Sequence, residues 1–430
     1  MNRAERRRQL KATRGPTSKR EATLALAAQQ LGNSQPERAY QALTRLLAAD
    51  ENDLDALHFA GVAKYQLGDY DMAMRHLDRA IELAPAYAEA HNSLGILHLE
   101  AGRADLAAEC FRQAVAHRPD YANAYTNLGN ALRQGDELEE AVDAYLHALT
   151  RDSAASQPAY RLAATLISLG RANDALGAIE ACLSIDPWCQ NALASKGIAL
   201  QMTGAMDEAQ ALHDFTHLVQ PVEIEPPSEY GSIQAFNDVL AQAVHANPSL
   251  TWEPLNRVTR HGAVTQDMLI KPIKPVRQFE QTLRNAIDRY RDQLVADPEH
   301  PFLNRIPERY RLTFIASILK EGGWHPSHIH ESAWLSGVYY VDVPPAMAGS
   351  ATADDGANEC APDGGTEDGG WLEFGRPDYP LPEGLEPFTE KFPPVSGLAR
   401  FFPSYFFHGT IPFTGGGERI GIAFDVYPDV

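Results

Sequence analysis

The spacing of small and apolar residues divides this chain into two parts. In the first part, one series of small residues recurs every 34 positions, at Gly61, Gly95, Gly129, Ala163 and Gly197. A second series keeps the same step, at Ala73, Ala107, Ala141, Ala175 and Ala209. Small residues at two fixed positions of such a period are typical of stacked pairs of antiparallel helices, because they let the two helices approach closely. The period predicts an all-α repeat array.

Prolines follow the same period and help to set its limits. Pro85, Pro119, Pro187 and Pro221 keep the 34-residue step, and Ser153 stands once where a proline would be expected. Proline ends the second helix of a pair because it cannot continue the backbone hydrogen-bond ladder. About six copies, over residues 21–221, resemble the tetratricopeptide repeat family. This resemblance implies a solenoid whose concave face binds a peptide or protein.

One repeat carries two asparagines, Asn127 and Asn130, that the preceding repeat lacks. They resemble the asparagines by which some tetratricopeptide arrays hold an extended peptide. A side-chain amide suits this role because it both donates and accepts hydrogen bonds. Asn127 and Asn130 are therefore candidate partner-binding residues, and ordinary polar surface is an equally good interpretation.

Beyond Pro221 the helical period gives way to strand-like patterns. Residues 222–231 contain consecutive prolines, which disfavour helix and predict a linker. Two helices are predicted next, at 232–246 and 276–296, from apolar residues at steps of three or four. Short strands separated by Gly and Pro follow, at 312–319, 334–343, 371–374, 398–402 and 420–426. This pattern predicts a jelly roll over 232–430, with helices that buttress one face.

Two segments are predicted to be flexible. Residues 1–20 form a basic tail in which Glu5 is the single acidic residue. Residues 345–370 are rich in Gly, Ala and Asp and contain no basic residue. Their carboxylates lack the ligand spacing of an EF-hand loop, which favours a flexible acidic surface insertion, with a lid over a site as the second interpretation.

Composition limits the classes of function. A chain of 430 residues predicts more than one domain. Its net charge of −20 argues against nucleic acid as the main partner, because phosphate binding needs a basic face. The four cysteines show no paired spacing, and no apolar run approaches the roughly 20 residues of a membrane span. We therefore expect a cytoplasmic protein without a membrane partner; its oligomeric state is left open.

The candidate chemistry centres on three histidines. His328 and His330 are two residues apart in a strand-like run, so their side chains share a face if the strand is regular. His408 lies in a second strand-like run, 401–408. Two ligands from one strand and one from a distant strand can build a metal site with open positions. We interpret these residues as an iron centre.

The sequence around these histidines resembles a known family. The run 323–344, together with 401–408 and 417–424, is similar to the 2-oxoglutarate/iron(II) oxygenases of the prolyl-hydroxylase-like superfamily. The resemblance implies a double-stranded β-helix and iron(II) bound by His328, His330 and His408. It also implies 2-oxoglutarate and dioxygen as co-substrates, and hydroxylation of a C–H bond in the substrate.

The same resemblance assigns a binding site for 2-oxoglutarate. Arg419 follows His408 by eleven residues, where the superfamily places the basic residue that holds the distal carboxylate. A guanidinium is permanently charged and forks onto a carboxylate. Arg419 shares a strand face with Gly421 and Ala423, whose small side chains leave room for a ligand. Tyr340 resembles the tyrosine that donates to this carboxylate, and Ser336 lies on the same face.

One position departs from the superfamily. Its members typically place Asp or Glu two residues after the first histidine, whereas this chain has His330 there and Ser332 two residues later. The metal would therefore carry one fewer negative charge. Our hypothesis is a hydroxylase acting on a polypeptide recruited by the repeats. The alternatives are a non-catalytic scaffold with a metal- or ligand-binding β-domain, a three-histidine cupin-like dioxygenase, and a zinc site completed by His325.

Overall fold

The computed structural model describes residues 18–254, 258–347 and 368–429. They form two compact units, one ending at Thr165 and the other beginning at Leu166. Most of the predicted tail 1–20 and of the predicted insertion 345–370 lies outside the described residues, as does Cys360. In the described part, no helix is both long and apolar enough to cross a membrane.

The first unit consists of antiparallel helix pairs, as the 34-residue period predicts. The helices are α1 Lys19–Gly32, α2 Pro36–Ala49, α3 Leu54–Gln66, α4 Tyr70–Leu83, α5 Ala88–Glu100, α6 Ala104–His117, α7 Ala122–Gln134 and α8 Leu138–Arg151. A further helix, α9, spans the limit between the units at Ser156–Ser168. The prediction of a tetratricopeptide-like solenoid is confirmed.

The glycine series marks the places where the second helix of a repeat inserts a side chain against the first. A Cβ added to Gly95 would lie 2.6 Å from the ring of Phe111, and one added to Gly129 would lie 2.5 Å from that of Tyr145. Contacts this short exclude any larger residue unless the ring moves. The same relation, sixteen residues apart in sequence, recurs in the pairs Gly61–Leu77 and Gly197–His213.

The turn inside each repeat shows the same period in its backbone. Left-handed φ angles occur every 34 residues, at Ser34, Gly68, Gly102, Asp136, Gly170 and Gly204. Glycine adopts this conformation without steric cost, whereas a residue with a Cβ is strained there. Ser34 (φ 54°) and Asp136 (φ 64°) are the two non-glycine members of the series.

The second unit combines helices with an antiparallel sheet. Its helices are α10 Ala172–Ile185, α11 Gln190–Thr203, α12 Met206–Leu212, α13 Phe215–Leu218, α14 Ile233–His245 and α15 Lys274–Gln293. Its strands are β1 Gln220–Glu223, β2 Thr251–Trp252, β3 Arg260–Val264, β4 Tyr310–His328, β5 Leu335–Asp342, β6 Leu372–Phe374, β7 Glu390–Phe392, β8 Leu398–Pro403, β9 His408–Thr410 and β10 Arg419–Pro428.

The strand order is that of a curled jelly roll, as the sequence predicts. The strands follow the order β1-β8-β5-β10-β4-β9-β6-β7, with β3 and β2 attached beside β4. The first half of β4 pairs with β10, and its last residues pair with β9. This long strand therefore joins both layers, and it delivers the histidine run to the place where they meet.

Helix α15 buttresses the outer face of the larger layer. Its apolar stripe includes Phe279, whose ring contacts Phe314 of β4 and Tyr339 of β5. On β10, Ile420, Ile422 and Phe424 also belong to this core. Because side chains alternate along a strand, Arg419 and its same-face neighbours must point to the inside of the roll.

The last repeat helices share the core of the second unit with the sheet. The hydroxyl of Tyr405 donates to the carbonyl of Leu212 at the end of α12, and Tyr379 donates to Ser195 in α11. Residues 222–231, predicted as a linker, begin within the edge strand β1, where Val222 pairs with Ala399. An edge strand tolerates Pro221, which has no backbone N–H, because the outer side of such a strand does not hydrogen-bond another strand. The sequence-based domain limits stay a prediction.

Candidate metal centre

A cavity of about 440 Å³ opens inside the jelly roll. Its volume is in the range of small-molecule sites. Leu372 and Phe402 form part of an apolar wall, and Ala423 contributes a small side chain. The polar groups converge on this space from β4 and the residues just after it, from β9 and from β10: His325, His328, His330, His408, Thr410, Arg419 and Asp425.

Three imidazoles come together at one end of this cavity. His328 ends β4 and pairs directly with His408, which begins β9. His330 lies two residues beyond the strand, and its backbone N–H donates to the carbonyl of Ser404. The ring centroids are 4.4–5.3 Å apart, and one nitrogen of each ring lies within 4.8 Å of the others. In the described part of the chain, this is the one cluster able to hold a metal ion.

Hydrogen bonds fix the tautomer of each ring. Nδ1 of His328 lies 2.8 Å from the carbonyl oxygen of Pro326, and Nδ1 of His408 lies 2.9 Å from that of Phe406. Nδ1 of His330 lies 2.7 Å from Oδ1 of Asp425. Carbonyl and carboxylate oxygens only accept, so each Nδ1 carries the proton. In the neutral form of each ring, Nε2 then carries the lone pair that binds a metal.

Burial keeps two of these imidazoles neutral. It lowers the pKa of His328 to about 4, with a further contribution from the neighbouring His330. It also lowers the pKa of His408 far below its usual value, and the other imidazoles act in the same direction. A ligand that is already deprotonated at neutral pH loses no proton when a metal binds.

Asp425 is a site residue that the sequence reasoning missed. Burial alone would raise the pKa of its carboxyl, but His330 together with hydrogen bonds from Ser336 and Tyr427 holds the pKa below its usual value. The carboxylate is thus negative beside an imidazole of the cluster. Asp425 has the same strand parity as Arg419, Gly421 and Ala423, so extending that alternation by one step would have found it.

Arg419 lies deeper in the same cavity and has an incomplete set of partners. Its side chain is 4% exposed, its Nη1 lies 3.4 Å from Oγ1 of Thr410, and its guanidinium lies 5.0 Å from the centre of the Tyr340 ring. Its buried Nε–H has no acceptor in the described part of the chain. A buried charge without a counter-ion is costly, so this end of the cavity suits an anion.

The three other predicted site residues, Tyr340, Ser336 and His325, occupy different positions relative to the cavity. Tyr340 is fully buried beneath Arg419, and its hydroxyl has no partner among the described residues. Ser336 is also fully buried, and its hydroxyl donates over 2.6 Å to Asp425, which in turn contacts His330. His325 lines the cavity with its Nδ1 3.2 Å from Oγ1 of Thr410, outside the three-histidine cluster.

The two asparagines of the repeat array are engaged within the array. The amide of Asn127 donates to Oδ1 of Asn92 over 3.0 Å. Oδ1 of Asn130 accepts from the hydroxyl of Tyr145 over 2.9 Å. Each side chain keeps further hydrogen-bonding capacity, because an amide offers two donors and two acceptor lone pairs.

Comparison with protein families assigns both parts of the chain. Residues 315–425, which contain the three histidines, Arg419 and Asp425, match the family described as "Putative 2OG-Fe(II) oxygenase". Residues 92–158 and 61–102 match two tetratricopeptide repeat families. The chain is a fusion of tetratricopeptide repeats with this oxygenase family. No curated protein matches the sequence.

Solved structures resemble the repeat-containing part. The MamA protein is 28% identical over 37% of this chain and 88% of its own length, with a TM-score of 0.36. YrrB, described as a tetratricopeptide protein with an unusual peptide-binding site, is 17% identical over 41% and 90%, with a TM-score of 0.38. PilF of Pseudomonas aeruginosa is 16% identical over 52% and 97%, with a TM-score of 0.42. These scores are too low to carry an argument about this chain.

Proposed function

We propose that the oxygenase domain is a 2-oxoglutarate- and iron(II)-dependent dioxygenase that hydroxylates a peptide or protein recruited by the repeats. The observation that carries this proposal is the meeting, in one cavity, of three imidazoles with a buried guanidinium whose Nε–H has no acceptor among the described residues. We assign the repeats to residues 21–221 and the catalytic domain to 232–430. No disulfide is present among the described cysteines, which supports a reducing, cytoplasmic setting.

The histidine cluster suits iron(II). His328, His330 and His408 would hold the metal through Nε2, while their Nδ1–H groups stay bonded to Pro326, Asp425 and Phe406. Imidazole nitrogen is a common ligand of iron, and three protein ligands leave open positions for a co-substrate and dioxygen. When bound, iron and 2-oxoglutarate supply the chemistry by which one oxygen atom enters a C–H bond and the other enters succinate.

The co-substrate end of the cavity suits a carboxylate. Arg419 would hold the distal carboxylate of 2-oxoglutarate through its unpartnered Nε–H, with the hydroxyl of Tyr340 as a candidate donor from below. Thr410 orients the guanidinium from the side. A charge-assisted bidentate pair in a buried site is stronger and more selective than one in water.

The apolar wall would control water and substrate access. Phe402 packs against His408 with ring centroids 4.6 Å apart, and Phe374 contacts the same ring from another side. These side chains exclude water from one side of the cluster, which strengthens its electrostatic interactions. A side chain of a polypeptide substrate could then enter along the more open rim near His330 and Glu331.

Binding and turnover test the proposal separately. In the absence of oxygen, the purified chain is loaded with Mn(II), and 2-oxoglutarate binding is measured by calorimetry. We expect binding that needs the metal and weakens about tenfold or more in Arg419→Gln, because a charge-assisted pair is lost. The iron(II)-loaded chain is then given oxygen, and succinate is quantified with and without peptides.

Matched variants distinguish the alternatives. His408→Ala should abolish metal binding, whereas His261→Ala, which alters an exposed histidine, should leave it unchanged. Metal binding without any 2-oxoglutarate binding or succinate would support the non-catalytic scaffold. Oxygen consumption with a small thiol, independent of 2-oxoglutarate and retained in Arg419→Gln, would support a three-histidine cupin-like dioxygenase. Either result overturns the proposal.

A further inference from the structure

His325 and His328 line the same cavity although they are three residues apart on β4. In a regular strand, residues separated by an odd number of positions point to opposite faces. Here β4 pairs His325 with Thr410 and His328 with His408, so three steps on β4 match two steps on β9. This β-bulge adds one residue to β4 and brings both imidazoles to the inside of the roll. His325 is thus a cavity residue that the metal centre leaves without a role.

Thr410 joins His325 to the buried guanidinium of Arg419. Its Oγ1 lies 3.2 Å from Nδ1 of His325 and 3.4 Å from Nη1 of Arg419. A guanidinium can only donate, so Oγ1 accepts from Arg419 and keeps its own proton. Thr410 is buried, and Nδ1 of His325 is the acceptor that the described residues offer to this proton. The hydroxyl therefore donates to Nδ1.

The tautomer of His325 follows from this contact. A neutral imidazole whose Nδ1 accepts a hydrogen bond carries its proton on Nε2. Burial, together with the positive charge of Arg419, lowers the pKa of His325 to about 3, so the ring is neutral at neutral pH. Its Nε2 has no hydrogen-bond partner among the described residues. The three histidines of the cluster carry the proton on Nδ1, whereas His325 offers the cavity an N–H donor.

This donor lies at the end of the cavity that suits an anion. His325 and Arg419 both contact one oxygen atom of Thr410, so a carboxylate bound to the guanidinium would lie next to the imidazole. We propose that His325 is a binding residue for the distal carboxylate of 2-oxoglutarate, to which it donates from Nε2. The inference rests on the proposed function and adds a neutral donor to the charged one of Arg419. A hydrogen bond to an ionised acceptor is stronger than one between neutral groups.

The tautomer is tested on the full chain without metal or 2-oxoglutarate, so this outcome does not depend on the oxygenase activity. Histidine is isotope-labelled at its ring nitrogens, and the signals of His325 are assigned by their loss in His325→Phe. Nitrogen–proton correlation spectra at neutral pH then show which nitrogen carries the proton. We expect a protonated Nε2 and an unprotonated Nδ1. A proton on Nδ1 would overturn the assignment of Nε2–H as the donor.

Binding is measured by calorimetry on the Mn(II)-loaded full chain in the absence of oxygen, with two probes. One is 2-oxoglutarate; the other is 2-oxobutyrate, which has the same keto-acid group but no distal carboxylate. We expect His325→Phe to weaken 2-oxoglutarate about tenfold, because a hydrogen bond to a charged group is lost. The affinities for 2-oxobutyrate and for Mn(II) itself should change little, which also shows that the variant is folded.

Matched variants separate the hydrogen bond from the size of the ring. His325→Gln keeps an N–H donor near the position of Nε2 and should retain part of the affinity for 2-oxoglutarate. Thr410→Val loses the hydroxyl and should weaken 2-oxoglutarate several-fold, whereas Thr410→Ser keeps the hydroxyl and should weaken it little. His217→Phe is the control, because it removes an exposed imidazole that does not line the cavity.

The failure of this inference and the failure of the proposed function give different results. If the unaltered chain binds Mn(II) but not 2-oxoglutarate, both are overturned. If 2-oxoglutarate binds and His325→Phe leaves its affinity unchanged, the role of His325 is overturned and the proposed function stands. An equal loss of 2-oxoglutarate and 2-oxobutyrate binding in His325→Phe would also overturn this role, because the ring would then support the metal centre rather than the distal carboxylate.

Discussion

His330 and Asp425 face each other across the rim of the cavity, with Nδ1 of the imidazole 2.7 Å from a carboxylate oxygen. The sequence shows no acid two residues after His328, where the oxygenase superfamily has one. The fold supplies a carboxylate from β10 instead, behind the imidazole that stands in that position. An imidazole that donates to a carboxylate is a more basic ligand. Through His330, Asp425 thus supplies the cluster with part of the negative charge that an acidic metal ligand would have carried.

Replacing this carboxylate should weaken metal binding. Asp425→Asn leaves a side chain of the same size but removes the charge that polarises His330. We expect the affinity for Co(II), followed by its visible absorption, to fall about 10–100-fold, in line with other partners of metal-binding histidines. Glu331→Gln is the control, because that acid pairs with Asn191 rather than with an imidazole. Equal effects of the two changes would contradict the role of Asp425.

Enlarging a small residue on the inner face of β10 should block the co-substrate. Ala423 lies between Arg419 and Asp425 on this face and lines the cavity. Ala423→Leu should weaken 2-oxoglutarate binding to the Mn(II)-loaded chain about tenfold or more by occupying its space, and should change metal affinity little. Ile422→Leu, a volume-conserving change on the opposite face, should leave both affinities near their original values. Unchanged 2-oxoglutarate binding in Ala423→Leu would place the co-substrate elsewhere.

A glycine should stabilise the fourth of the periodic turns. Asp136 adopts φ 64° where most corresponding positions have glycine. Asp136→Gly removes this strain, partly offset by greater freedom of the unfolded chain, so we expect a gain of about 0.5–1 kcal/mol. Urea unfolding followed by circular dichroism measures the change. Gly102→Ala, at φ 71°, should shift the midpoint in the opposite direction.

Stability should fall in acid partly because of one buried histidine. Burial lowers the pKa of His213 to about 4 in the folded state. The unfolded chain, with an ordinary pKa near 6.5, binds the proton first, so stability is full above about pH 6.5 and decreases toward pH 4. This group accounts for a loss of roughly 3 kcal/mol over that interval.

A variant isolates this contribution. His213→Phe keeps a ring beside Gly197, Phe215 and Phe406 but cannot bind a proton. Its free energy of unfolding should therefore fall less steeply between about pH 6.5 and pH 4 than that of the unaltered chain. His217→Gln, which alters an exposed histidine, should retain the original slope. Parallel slopes for all three proteins would assign the acid sensitivity to other groups.

Local sequence patterns were sufficient to predict most of the helices and strands. The period of 34 located the helix pairs, and the predicted helix 232–246 became α14, Ile233–His245. The strand predicted at 312–319 was shorter than the observed strand. In the structure β4 continues to His328, since pairing with β3 and β9 holds the chain extended across a β-bulge. Pairing between distant segments overrode the local signal.

The sequence by itself determined the repeat array, the jelly roll and the parity that directs Arg419 and Ala423 to the inner face, because periods of 34 and of 2 can be recognised along the chain without knowledge of the fold. Only the tertiary structure decided that Asp425 lies behind His330 and that Ser336 serves Asp425 rather than the cavity. These relations join residues that are far apart in the chain. They depend on strand register and helix packing, which no local pattern records.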